Sequence, residues 1–219
     1  MDQPLVDSVA DLAPKRARGR PRKTLDERDD GNRRQALLSA AAKLFRRQGF
    51  DGTSTRDIAT AAGMQSGSPF YHFKSKDALL YAVMEAGMHS AIERQAQALQ
   101  GKAPAADAAE AMRRLIKAHF DVLLGPGNDF VPVMLYEHRA LSAAERATLA
   151  QLQVRYEAVW TPVLQALHDT GQLQAPVKLS RLLILGALNW TVQWFDRRQG
   201  ASVDELTDAA MLLFLRHPH

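Results

Sequence analysis

GFDGTSTRDIATAAGMQSGSPFYHFKSKDALL, Gly49 to Leu80, decides how this chain folds. Thr53, Ser54 and Thr55 stand ahead of Ile58, Ala59 and Ala62, the order of a capped helix start followed by an apolar stripe. Gly63 ends that helix, because a left-handed turn residue carries no steric cost when it is glycine. A three-residue turn leads into SGSPFYHF, a very short helix, and Ser75 is placed to cap a long one after it. Two short helices joined through a glycine turn, braced by a longer helix before them, form a helix-turn-helix. Ala59 and Ala62 are small where the helices cross, and Ile58, Met64 and Phe73 are apolar anchors for the hidden side. A plain helical hairpin has the same spacing. The composition of QSGSPFYH separates the two, being too polar and too rich in small residues for bland core. Gly67 lets a partner's backbone come close, and Ser66, Ser68, Tyr71 and His72 offer hydrogen bonds suited to phosphates and base edges.

Outward from this stretch the chain reads as helix nearly throughout. RRQALLSAAAKLFRRQGF places Leu37, Leu38, Ala41, Leu44 and Phe45 on one stripe and stops at Gly49. Beyond the long helix that follows Ser75, breaks at Gly101–Pro104, GPGN, LSAAE, TGQLQAPVK and RRQGASVD predict helices over about 105–124, 129–140, 143–170, 179–198 and 203–216, with Ser142 as a cap. The expected class is all-α. No internal repeat or low-complexity tract is visible.

The first 30 residues differ. They hold several Pro and Gly and little apolar periodicity, and read as a mobile arm. Within it, KRARGRPRK (Lys15–Lys23) gathers six positive charges, whereas the whole chain is formally only +4, so the remainder is net −2. RGRP between basic residues looks like an AT-hook, with Arg18, Arg20 and Arg22 reaching into the narrow minor groove of A·T-rich DNA, where the potential is most negative. A solvated basic tail binding any polyanion is the plainer reading.

The stretch Gly49–Leu80 resembles the DNA-binding signature of the TetR family of bacterial transcriptional regulators. The resemblance runs from about Arg33 to Leu80. Gly49, Thr53, Thr55, Ile58, Ala59, Ala62, Gly63, Gly67, Tyr71, Phe73, Lys76 and Leu79 carry it. It implies, after the arm over 1–29, a three-helix DNA-binding domain over 30–76 and a ligand-binding and dimerisation domain over 77–219. It also implies contacts to double-stranded operator DNA from Thr53, Thr55, Gln65, Ser66, Gly67, Ser68, Phe70, Tyr71, His72 and Lys76, with Thr55 and Lys76 on phosphates. Three residues depart from the family pattern. Gln65 replaces a usual Ser, Pro69 a usual Leu, and Phe70 a usual Tyr, whose hydroxyl is thereby absent. Pro69 is tolerated only in a first helical turn, so the recognition helix starts no earlier than about Ser66.

The C-terminal two-thirds carries all three tryptophans, Trp160, Trp190 and Trp194. SRLLILGALNWTVQWF is apolar on nearly every side, so one face requires a partner. A homodimer is expected through this helix and part of 143–170, with Leu182, Leu185, Gly186 and Trp190 at the contact. Burial within one subunit is the alternative. A mainly apolar small-molecule inducer is expected against His119, Phe120, Met134, Tyr136, His138, Trp160, Asn189, Gln193 and Trp194. The ending GALNWTVQWFDRRQGASVDELTDAAMLLFL looks similar to relatives that sense acyl-CoA thioesters.

Other chemistries find little footing. The chain has no cysteine, so disulfides, thiolate zinc sites and Cys nucleophiles are excluded, which fits a cytoplasmic location. It shows no secretory signal and no run of about 18 apolar residues to span a membrane. HExxH, GxSxG and Gly-rich phosphate loops are missing and the seven His are scattered, so no catalytic residue, metal ligand or cofactor is expected. An architectural DNA-binding protein without a ligand and a helical enzyme remain as rival readings.

Overall fold

The computed structural model describes residues 25–65, 69–100, 107–125, 129–130, 133, 137–196, 198 and 200–216. The described residues are helical and contain no strand. Helix α1 spans Leu25–Gln48, α2 Thr55–Ala61, α3 Pro69–His72 and α4 Lys76–Ala98. After α5 (Ala108–Leu124), a short 3-10 turn at His138–Ala140 precedes α6 (Ala143–Ala158) and α7 (Trp160–Asp169). Then come α8 (Val177–Trp190), a 3-10 turn at Thr191–Gln193, and α9 (Val203–Phe214).

Local chemistry sets these boundaries. Ser54, Ser142 and Ser202 each accept a hydrogen bond from the backbone N–H three residues on. Asp57, Glu145 and Glu205 reach back to the cap in return. These reciprocal bonds from serine hold all three carboxyls below the usual range. Ser75 and Asp107 cap α4 and α5 in the simpler way. Gly63 closes α2 with φ +70°, and α3 begins at Pro69, inside the limit its missing N–H imposes.

Three boundaries depart from expectation. Helix α1 begins at Leu25 and runs through Gly31, inside the stretch expected as an arm. The single helix expected over 143–170 is two, because Pro162 lacks an N–H and its ring would strike the carbonyl of Ala158 in a continuous helix; the chain restarts at Trp160 with Pro162 in the new first turn. The helix expected over 179–198 leaves α geometry at Thr191, whose buried hydroxyl donates to the Leu188 carbonyl at 2.7 Å. Of the helix expected over 129–140, residues 131, 132 and 134–136 lie outside the described residues, and its end at His138–Ala140 is a 3-10 turn.

Helix α5 is the axis of the larger domain. It packs against α4, α7, α8 and α9, and buries Met112, Leu115, Ile116, Phe120 and Leu123. Helix α4 joins the two domains, touching α1 on one side and α5 and α6 on the other. One apolar core therefore runs from Leu37, Phe45 and Ile58 to Trp160 and Leu188.

Candidate DNA-binding face and ligand cavity

The short helix α3 separates its residues by environment. Tyr71 is 82% exposed, whereas Phe73, two positions on, is buried under the Arg34 guanidinium at 5.1 Å. Gln65 is exposed and Thr55 half-buried at the start of α2. Arg56 and Lys74, which no sequence motif marks, are also exposed. Ser66, Gly67 and Ser68 and the Phe70 side chain lie outside the described residues, as do Arg18, Arg20 and Arg22.

Three expected DNA contacts take other roles. Thr53 is buried, and its hydroxyl donates to the Gly49 carbonyl at 2.7 Å. His72 turns inward, its side chain 7% exposed with Nδ1 3.7 Å from the Asp30 carboxylate. Lys76 donates to the carbonyls of Phe50 and Thr53 at 2.9 and 3.0 Å and lies over the Phe50 ring at 4.2 Å. Its charge clasps the turn between α1 and α2. An ammonium so placed offers a charged donor to two turn carbonyls that lie outside either helix.

A cavity of about 550 Å³ lies between α4, α5, α6 and α8. Met88 and Ala91 of α4 and Val122 of α5 give one apolar side. Leu149 of α6 and Leu185 of α8 give the other. Polar groups are few: His119 and Tyr156 inside, Asn189 on the α8 wall, and Arg146 and Gln153 at the exposed rim. Glu157 on the same wall is held by Arg181 at 3.1 Å, tying α6 to α8. His119 Nδ1 and Tyr156 Oη lie 2.6 Å apart. Burial pushes the His119 imidazole down to about 4, against a smaller upward pull from Asn189, so it is neutral at pH 7. Burial likewise pushes the Tyr156 hydroxyl above its ordinary range.

Of the expected ligand contacts, His119 and Asn189 line this cavity. Phe120 and Trp160 are fully buried behind it. Gln193 and Trp194 fall outside: the α-helical register that would align them with Asn189 ends at Thr191. Gln193 instead borders a second hollow of about 300 Å³ beside Phe45 and Glu137, and Trp194 is exposed. Met134, Tyr136 and the His138 side chain lie outside the described residues. Tyr156 and Arg146 also line the cavity, outside the expected set. A tyrosine in a polar helix and an arginine one residue past a capping glutamate carry no pattern that marks a pocket.

The expected dimer contacts also divide. Leu185 is buried within its own subunit and lines the cavity, which corrects its assignment. Leu182 and Gly186 are exposed and also border the cavity, while Trp190 is exposed away from it, joined by Leu179 and Leu183 on α8. The second exposed apolar helix is α9, with Leu212 and Leu213, more than the 143–170 region, where Val154 is the one large exposed apolar side chain among the described residues.

An exposed helix-turn-helix held on the same core as an apolar chamber is the build of a DNA-binding regulator. Residues 37–83 match the family described as bacterial regulatory proteins, tetR family, and residues 105–217 match the tetracyclin repressor-like C-terminal domain. The chain belongs to the TetR family, and is a transcriptional regulator rather than an enzyme. It is 28% identical over 191 residues to the HTH-type transcriptional repressor KstR2 of Rhodococcus jostii (strain RHA1), covering 86% of this chain and 91% of that one. It is 24% identical over 186 residues to the fatty acid metabolism regulator protein of Bacillus subtilis (strain 168), covering 84% and 94%. Among solved structures, the crystal structure of superantigen PfiT is 37% identical, with a TM-score of 0.69 over 85% of this chain and 97% of that one.

Proposed function

We propose that this protein is a homodimeric, ligand-responsive repressor. It holds a palindromic operator through α2 and α3 and is released when an apolar acyl ligand, of the acyl-CoA thioester class, fills the cavity. The observation that carries this reading is the bonded route from cavity to DNA-binding domain. Leu141 lines the cavity, and its carbonyl accepts from Arg146 on the rim. The 3-10 turn before it leads back to Glu137, whose Oε1 accepts from the Phe50 N–H at 3.0 Å. Phe50 sits in the turn that Lys76 clasps, between α1 and α2. Arg46 of α1 and Asp129 add a second tie at 2.9 Å. A ligand that shifts Leu141 therefore pulls on the joint that orients α2.

Such a ligand acts by differential affinity for two states. In the binding state the two recognition helices sit one DNA turn apart, about 34–36 Å, and in the other they do not. The cavity's size falls within the roughly 300–1,000 Å³ of small-molecule sites. The relative named for fatty acid metabolism supports an acyl ligand. The test is operator binding against an excess of random DNA, with and without decanoyl-CoA. Specific binding that the thioester weakens is expected. Equal affinity for operator and random DNA, with no effect of any acyl-CoA, would establish the architectural reading instead.

A further inference from the structure

The inner wall of the cavity holds a buried chain of polar groups that ends in an unpartnered atom. Trp160 is fully buried, and its indole N–H, which can only donate, fixes the orientation of the Gln95 amide, whose Oε1 is assigned to the atom position 2.6 Å away. The Gln95 amide nitrogen then donates to the Tyr156 backbone carbonyl at 3.1 Å. Tyr156 Oη stands 3.1 Å from Gln95 Oε1 and 2.6 Å from His119 Nδ1. Only one placement of hydrogens makes every contact attractive. If Tyr156 donated to His119, its oxygen and Gln95 Oε1 would face each other as two acceptors. Tyr156 therefore donates to Gln95, His119 Nδ1–H donates to Tyr156, and His119 Nε2 is left as a bare acceptor. That atom has no hydrogen-bond partner among the described residues, and His119 is 5% exposed on the cavity wall. The Asn189 side chain stands close enough on α8 to act on the imidazole through a hydrogen bond, yet Nε2 itself has no bond of normal geometry among the described residues. A buried acceptor left unsatisfied is unusual enough to mark a function.

The charges nearby narrow the ligand. The imidazole is neutral, Glu157 is already paired with Arg181, and Arg146 stands at the rim. An ionised carboxylate at the inner end would be buried with no cation of the described cavity lining beside it. A hydroxyl can accept from an amide and donate to a bare nitrogen through one oxygen atom.

We propose that the inner end of the cavity is a hydroxyl-recognition site, with the ligand's O–H donating to His119 Nε2 and its oxygen accepting from the Asn189 amide. The ligand is then an apolar molecule bearing a neutral hydroxyl at its buried end. A plain acyl chain fills the same space but leaves Nε2 unsatisfied. This rests on the cavity being the inducer site, and the test separates the two claims. Decanoyl-CoA, 3-hydroxydecanoyl-CoA and 10-hydroxydecanoyl-CoA are titrated by calorimetry against the full chain. Cyclohexanol and methylcyclohexane, equal in shape, are compared by saturation-transfer NMR. At least one hydroxylated member is expected to bind about tenfold tighter than its plain analogue, since a site built for a hydroxyl rejects a ligand lacking it. In His119→Phe that preference falls to within about twofold. Asn189→Ala, at a half-buried position that spares the core, gives the same loss should His119→Phe fail to fold. If the thioesters are silent while cyclohexanol shows the preference, the acyl-CoA class is wrong and the hydroxyl site stands. Hydroxylated and plain ligands binding alike, a preference surviving in both variants, or no probe binding at all overturns the site.

Discussion

Tyr71 and Phe73 stand two positions apart and do opposite work. Tyr71→Ala is expected to weaken operator binding while the melting temperature barely moves, because the ring is mostly exposed. Phe73→Ala is expected to cost roughly 3–5 kcal/mol of stability through the buried ring it removes. Equal thermal losses in the two variants would sink this division. His119 gives a second residue-scale test. Its folded value is about 4 against an ordinary 6.5, so between these values the unfolded chain binds more protons. The stabilisation this neutral histidine allows is complete above about pH 6.5 and fades as pH falls towards 4, by roughly 3 kcal/mol in all. Thermal melts of wild type and His119→Phe across that window measure it by difference. The variant is expected to lose less stability on acidification, and parallel curves would refute a buried neutral imidazole.

At the scale of elements, the turn between α1 and α2 is held from outside itself. Lys76 reaches back from α4 to two of its carbonyls, and Glu137 binds its amide from the far domain. Lys76→Met is expected to lower stability by about 1–3 kcal/mol, since both carbonyls are deprived of a charged donor. The salt dependence of DNA binding should not change. A phosphate contact predicts the opposite, a log–log slope reduced by about 0.9 with little thermal effect. The capped starts of α2 and α6 were readable because Ser followed three residues later by Asp or Glu satisfies free N–H groups locally. The break at Val159 was also written in the chain, in Pro162, although its place inside a first turn rather than a loop depends on how α7 packs against α5.

At the scale of the whole molecule, exposed apolar surface on α8 and α9 calls for a second copy. Leu183 and Leu213 are 70% and 81% exposed and do not line the cavity. Leu183→Asp with Leu213→Asp is expected to yield a folded monomer by light scattering that no longer holds the operator. A dimer of unchanged affinity would move the interface elsewhere. The basic arm is tested by removing residues 1–24. The log–log salt slope should flatten by about 0.9 for every phosphate the arm neutralises, and any preference for A·T-rich flanks should go with it. Identical slopes and flank preferences for the two proteins would leave Lys15–Lys23 a solvated tail.

The helix-turn-helix was legible because its determinants are local. A capping serine, a glycine at positive φ and an apolar stripe act within a few residues of one another, and no distant contact is needed to read them. The all-helical class followed from the same short-range chemistry. The cavity was half legible. His119 and Asn189 stood out as polar residues in apolar helices, but Tyr156 and Gln95 join them only because α4, α5 and α6 converge. The misplacements have the same origin. Thr53, His72 and Lys76 carry groups fit for DNA, and Leu185 an apolar surface fit for a partner. Which way each one faces is set by the helix across from it. Sequence periodicity names the faces of a helix, while the neighbours supplied by tertiary packing determine which face is covered and by what.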